Sequence, residues 1–114
     1  MSVNEKAAMS EQLRTILAEL RRRLEALYGP RMVKLVLYGS QARGDAEPGS
    51  DIDVLVVLKG PVSPCEEIDR TIEIVSGLSL EHNEVICCAF VPEDRYQTER
   101  SPLLINVRRE GVAI

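Results

Sequence analysis

The stretch YGSQARGDAEPGSDIDVLVV, Tyr38–Val57, decides the fold, because it closes one apolar run and opens the next around a polar connection. Upstream, RMVKLVLYG (Arg31–Gly39) is short, β-branched and aliphatic, bounded by Pro30 and Gly39, and reads as a strand. Downstream, DIDVLVVLKG (Asp51–Gly60) is almost continuously apolar after its two acids, the pattern of a strand in the middle of a sheet. The residues between, SQARGDAEPGS, hold Gly44, Pro48 and Gly49 and predict a turn-rich loop with one helical turn at Ser40–Ala42.

Working outward, SEQLRTILAELRRRLEALYGP sets Leu13, Ile16, Leu17, Leu20, Leu24 and Leu27 on one stripe of a helix, with Ser10 as cap and Gly29-Pro30 as stop. The Arg21-Arg22-Arg23 run fans around that helix and reads as a solvated face, since three consecutive helical positions cannot all meet one ligand. A second helix begins at Ser63-Pro64, where Ser63 and Glu66 have the spacing of a capping box, and Ile68, Ile72 and Val75 form its expected buried stripe. NEVICCAFVP predicts a third strand ended by Pro92, and SPLLINVRREG a short last helix closing on Gly111. The order α, β, loop, β, α, β, α, without internal repeat or linker, predicts an α/β (α+β) fold in a single domain over residues 1–114.

Composition limits the function. The chain of 114 residues is 45% hydrophobic, has only four aromatics (three Tyr, one Phe) and needs an aliphatic core. A formal charge of −4 disfavours nucleic acid as a principal partner, because a polyanion is bound through an excess of Lys and Arg. No apolar run approaches the ~20 residues of a membrane span, and the N-terminal MSVNEKAAMSEQ lacks the apolar centre of a signal peptide, which predicts a cytoplasmic protein without a membrane partner. Cys65, Cys87 and Cys88 have neither zinc-site nor disulfide spacing and read as small core residues, and His82 lies in a polar connection and reads as solvated.

The chemistry gathers at the two ends of the quoted stretch. In a strand, Asp51 and Asp53 leave the same face with Cα atoms roughly 6.5 Å apart. Two converging carboxylates repel, and a hard divalent cation such as Mg²⁺ relieves the repulsion while keeping positions open for substrate phosphates. Gly39 permits a tight turn after its strand, so that the Ser40 and Gln41 N–H groups and the Ser40 hydroxyl open a helical turn that favours anions. Together these describe a site for a nucleoside triphosphate held through Mg²⁺. Arg43 has two readings, a phosphate clamp or a salt bridge to Asp45, Glu47 or Asp51. Ser50 reads as a turn partner, with no general base beside it.

GSQARGDAEPGSDIDVLV closely resembles the signature of the DNA polymerase beta-like nucleotidyltransferase superfamily, and its finer form, G-S-x-A-R-G-x-x-x-x-x-S-D-x-D, resembles the minimal nucleotidyltransferases of bacteria and archaea. Gly39, Ser40, Ala42, Arg43, Gly44, Ser50, Asp51 and Asp53 meet every fixed position. The resemblance covers nearly the whole chain, including the tail SPLLINVRREGVAI, and implies helices packed on one face of a small mixed sheet with the site on the other. It implies that Asp51 and Asp53 hold two Mg²⁺ ions, that Gly39 and Ser40 grip the β- and γ-phosphates, and that a nucleoside monophosphate, AMP from ATP, passes to a hydroxyl. It also implies a HEPN-domain partner, with this chain as the antitoxin that adenylylates it. The superfamily's third metal-binding acid, on the next strand, has no counterpart inside VICCAFV, and Glu84 at the entrance is the nearby acid. Beside a purely structural acid pair with no ligand, two functional readings therefore stay open: a transferase acting on a protein partner, or a nucleotide-binding or contact-only module with a degraded site. In either, the open site face invites completion by the partner or by a second copy.

Overall fold

The computed structural model describes residues 9–47 and 49–114. The expectations for the N-terminal segment Met1–Ala8 and for Pro48 as a turn residue lie outside them. Helix α1 spans Glu11–Tyr28, and the Ser10 hydroxyl accepts a hydrogen bond from the Leu13 N–H at 3.1 Å, as the cap reading required. Leu13, Ile16, Leu17, Leu20 and Leu24 are buried, but Leu27 is exposed and Tyr28 takes the final buried position. A 3₁₀ turn at Gly29–Arg31 then leads into β1, Met32–Tyr38. The short helix α2, Ser40–Arg43, follows, then the loop and β2, Ile52–Leu58.

Helix α3, Pro64–His82, starts at Ser63 but lacks the expected capping box: the Ser63 side chain makes no cap hydrogen bond. The helix is also rotated relative to the predicted stripe. Glu67, Thr71 and Leu78 are buried, with Ile74 and Val75 packed beside them, while Ile68 and Ile72 are 47% and 51% exposed. The cause is Glu67. Its carboxylate, 2% exposed, accepts the Tyr28 hydroxyl at 2.7 Å and the Arg70 Nε–H at 3.1 Å, and lies 3.5 Å from Arg31. A buried carboxylate must face its partners, and these lie toward α1 and the turn after it. A stripe drawn through apolar residues alone misses this.

Strand β3 runs Ile86–Pro92 and is followed by α4, Glu93–Thr98, α5, Pro102–Glu110, and a two-residue strand β4, Val112–Ala113. Helix α4 and β4 add to the expected order. The sheet order is β3-β2-β1-β4, with β1 antiparallel to both β2 and β4 and β2 parallel to β3, so the sheet is mixed, as expected. The two long helices cover one face, where Ile16, Leu20 and Leu24 of α1 and Leu78 of α3 meet Leu35, Leu37, Val54, Val56, Ile86 and Phe90. On the other face α5 buries Leu104 and Val107 against Val36, Leu55, Val57 and Val91. Tyr38 packs against that second layer, while beyond it the half-buried Asp53 and the exposed Cys87 stand beside Tyr38 in the strand register. No helix among the described residues is long and apolar enough to cross a membrane.

Candidate active site

The open end of that face collects the ends of three segments. Strand β1 ends at Tyr38, and Gly39 turns the chain with φ 73° and ψ −156°. A Cβ at this position would lie 2.6 Å from Oδ2 of Asp53, so the absence of a side chain lets the carboxylate lie against the turn. Helix α2 then begins at Ser40; the Ala42 and Arg43 N–H groups both donate to the Gly39 carbonyl at 3.1 Å, which leaves the Ser40 and Gln41 N–H groups as the ones without a partner in the helical turn. The turn and the Asp53 carboxylate are thereby neighbours in space, as the sequence predicts.

The loop returning to β2 is tied by local bonds. Ser50 Oγ accepts the Glu47 N–H at 3.0 Å, the Ser50 N–H donates to the Glu47 carbonyl at 3.0 Å, and the Gln41 side-chain amide donates to the Ser50 carbonyl at 3.4 Å. Ser50 is thus a turn partner, as read. Arg43 takes the salt-bridge alternative, 3.2 Å from Asp45, and adds one partner that local sequence cannot show: Glu110 at the end of α5, 3.5 Å away. Both acids hold its guanidinium pKa above the ordinary value, Asp45 most strongly.

Asp51 and Asp53 converge, and the third group beside them is Cys87. One donor atom from each lies within 4.8 Å of the others, and Cys87 Sγ is 3.7 Å from Asp51 Oδ2, a thiol-to-carboxylate contact. Parallel pairing brings this about: the Ile52 N–H donates to the Val85 carbonyl at 2.8 Å, and the register then sets Asp53 beside Cys87. Glu84, the candidate third metal-binding acid, lies before β3 begins and is not one of this close group. Its backbone N–H instead closes the end of α3 on the Ser79 carbonyl at 3.1 Å. Cys65 and Cys87 are exposed rather than in the core, and Cys88, on the helix-covered face, is the one cysteine packed against the core.

The electrostatics are those of a like-charged acid pair. Burial, and then the Asp51 charge, push the Asp53 carboxyl above its ordinary value. Burial, the two aspartates and the bond to Asp51 raise the Cys87 thiol, while burial and Asp53 raise the Tyr38 phenol. The two carboxylates fit a hard divalent cation; the thiol, a soft donor, does not favour Mg²⁺.

The comparisons accord with this geometry. A family model described as a nucleotidyltransferase domain matches residues 17–108. A relative from Methanocaldococcus jannaschii, provisionally named a protein adenylyltransferase, is 31% identical over 99 residues, 87% of this chain and 95% of its own length. Among solved structures, the fold resembles a toxin–antitoxin structure with AMP-PNP at a TM-score of 0.62 and 16% identity, covering 91% of this chain and 72% of that one. It also resembles a structure provisionally described as a minimal nucleotidyltransferase, at a TM-score of 0.56 and 23% identity, covering 90% of this chain and 95% of that one. With the family model spanning both acids and the Gly39-Ser40 turn, and a relative matched along nearly its whole length, the chain belongs to the nucleotidyltransferase domain family.

Proposed function

We propose that this nucleotidyltransferase transfers AMP from ATP to a hydroxyl side chain of a partner protein, and that the partner is a HEPN-domain toxin silenced by the modification. The observation that carries the reading is the meeting of Asp51 and Asp53 with the Gly39-Ser40 turn at the uncovered end of a sheet face. Carboxylates alone repel a triphosphate; the first-turn N–H groups at Ser40 attract one. Asp51 and Asp53 would hold Mg²⁺, which when bound offsets the triphosphate's charge and makes the acceptor hydroxyl a better nucleophile. The turn positions the phosphates, and the open face leaves room for a protein acceptor. The toxin–antitoxin structure with AMP-PNP and the adenylyltransferase relative supply the nucleotide and the protein target as expectations for this chain.

A contact-only antitoxin is the second reading, favoured by one observation: the third group beside Asp51 and Asp53 is a thiol, Cys87, and not a carboxylate. Incubating a HEPN-domain partner with labelled ATP and Mg²⁺ separates the two. Transfer predicts an added AMP on Tyr, Ser or Thr by mass spectrometry, lost in Asp53→Asn. A partner neutralised without modification, equally well by the Asp51→Asn, Asp53→Asn variant, would leave the contact reading. The same site requires calorimetric ATP binding to disappear in EDTA, and equal binding with and without chelator would remove the metal from the account.

A further inference from the structure

Cys87 is neither a packing residue nor a local cap. It is exposed on the site face, beyond the layer that α5 adds, and its polar contact is with the Asp51 carboxylate. The register makes it the cross-strand neighbour of Asp53, and its sulfur and one oxygen from each aspartate already lie within 4.8 Å of one another. Ligands around a tetrahedral cation with bonds of ~2.0 Å to oxygen and ~2.3 Å to sulfur sit about 3.5 Å apart, so the group has to contract by only about 1 Å. Asp51 and Cys87 are exposed and have room to rotate. Mg²⁺ demands oxygen ligands and gives up water reluctantly, whereas a set of two carboxylates and a thiolate suits cations that accept sulfur.

We propose that Cys87 is a third donor to the Asp51/Asp53 site and shifts its preference from Mg²⁺ toward thiophilic divalent cations of the Zn²⁺ class. The inference rests on the reading that the two aspartates hold a metal. The Cys87 thiol loses its proton to solvent as its sulfur joins the cation, and no electron is transferred.

The test is titration of the reduced full-length protein with Co²⁺, which reports a sulfur ligand through a near-ultraviolet charge-transfer band, alongside calorimetry with Cd²⁺ and Mg²⁺. Wild type should show the band, the Cys65→Ser, Cys88→Ser variant should keep it, and Cys87→Ser should lose it. Cys87→Asp should lower the ratio of Cd²⁺ to Mg²⁺ affinity by about tenfold or more, a size that changes outside the ligand shell alone can reach. If Co²⁺ binds wild type without the band and binding still depends on Asp53, the role of Cys87 is overturned and the two-carboxylate site stands. If wild type binds none of the three cations, the carboxylate metal site fails, and the proposal with it.

Discussion

Two constraints meet at Gly39. Its φ of 73° with ψ of −156° falls in a region that residues with a side chain hardly enter, and a Cβ there would press on the Asp53 carboxylate at 2.6 Å. Gly39→Ala should therefore cost about 1–3 kcal/mol in urea unfolding from backbone strain alone, and displace Asp53 as well. Unchanged stability would show that the turn tolerates a side chain. Asp53→Asn should act in the opposite direction. In the metal-free protein Asp53 titrates above its ordinary 3.8, so the folded state holds the proton more tightly than the unfolded chain. Its contribution to stability falls as pH rises from the unfolded value through the raised folded one, and at neutral pH the ionised group is a net cost. The isosteric amide removes that cost, so the melting temperature at pH 7 should hold or rise while transferase activity is lost. A variant that unfolds would assign the acid pair a structural role. Gly39, Ser40, Asp51 and Asp53 were legible in the sequence because strand alternation and a turn glycine are local facts. Cys87 was not, because its place depends on the parallel register of β2 and β3, and neither was Glu110 as the partner of Arg43, 67 residues away.

Helix starts show how far local chemistry can be read. Ser10 and Ser101 both accept the N–H three residues on, from Leu13 at 3.1 Å and Leu104 at 3.4 Å. Ser63, with the same Ser-Pro start as Ser101 and an acid at the capping-box position, makes no such bond. Ser10→Ala should accordingly lose about 1 kcal/mol, and Ser63→Ala far less, in thermal or urea unfolding. Equal losses would mean that Ser63 caps its helix in solution. The sequence carries the existence and span of α3, since a long periodic segment bounded by Ser-Pro and a polar turn is unambiguous. Its facing is another matter: Glu67 is surrounded by Tyr28 and Arg31 from one part of the chain and Arg70 from its own helix, and burial of an acid is settled by partners that periodicity does not weigh. For the same reason, expecting Ile68 and Ile72 inside gave hydrophobicity a vote that belonged to the ion pairs.

The Asp51/Asp53 pair and the Glu67 cluster occupy opposite ends of β2. Asp53 lies near the start of the strand, whereas Arg31, which contacts Glu67, also donates to the Lys59 and Pro61 carbonyls just past its end. From Asp53 to Leu58 is five residues, roughly 16 Å of extended chain. The interior of β2 between them is fully packed, with Val54, Leu55, Val56 and Val57 all at 0% exposure, so the sheet offers no obvious hinge. Glu67→Ala removes a buried acceptor and leaves the Tyr28 hydroxyl without its partner. Arg31 and Arg70, however, keep 33% and 45% of their side-chain surface and can turn to water, so the loss should be about 1–3 kcal/mol rather than the larger penalty of stranding a buried charge. Because Glu67 and Gly39 share no partner and are well separated, the losses in Gly39→Ala and Glu67→Ala should add to within about 0.5 kcal/mol in the double variant. Metal affinity should fall only in variants carrying Gly39→Ala. Urea unfolding of the four proteins, with cation titration of each, measures both. A coupling energy clearly beyond that margin, or a metal affinity that drops in Glu67→Ala alone, would show that β2 transmits strain from its anchored end to the acids.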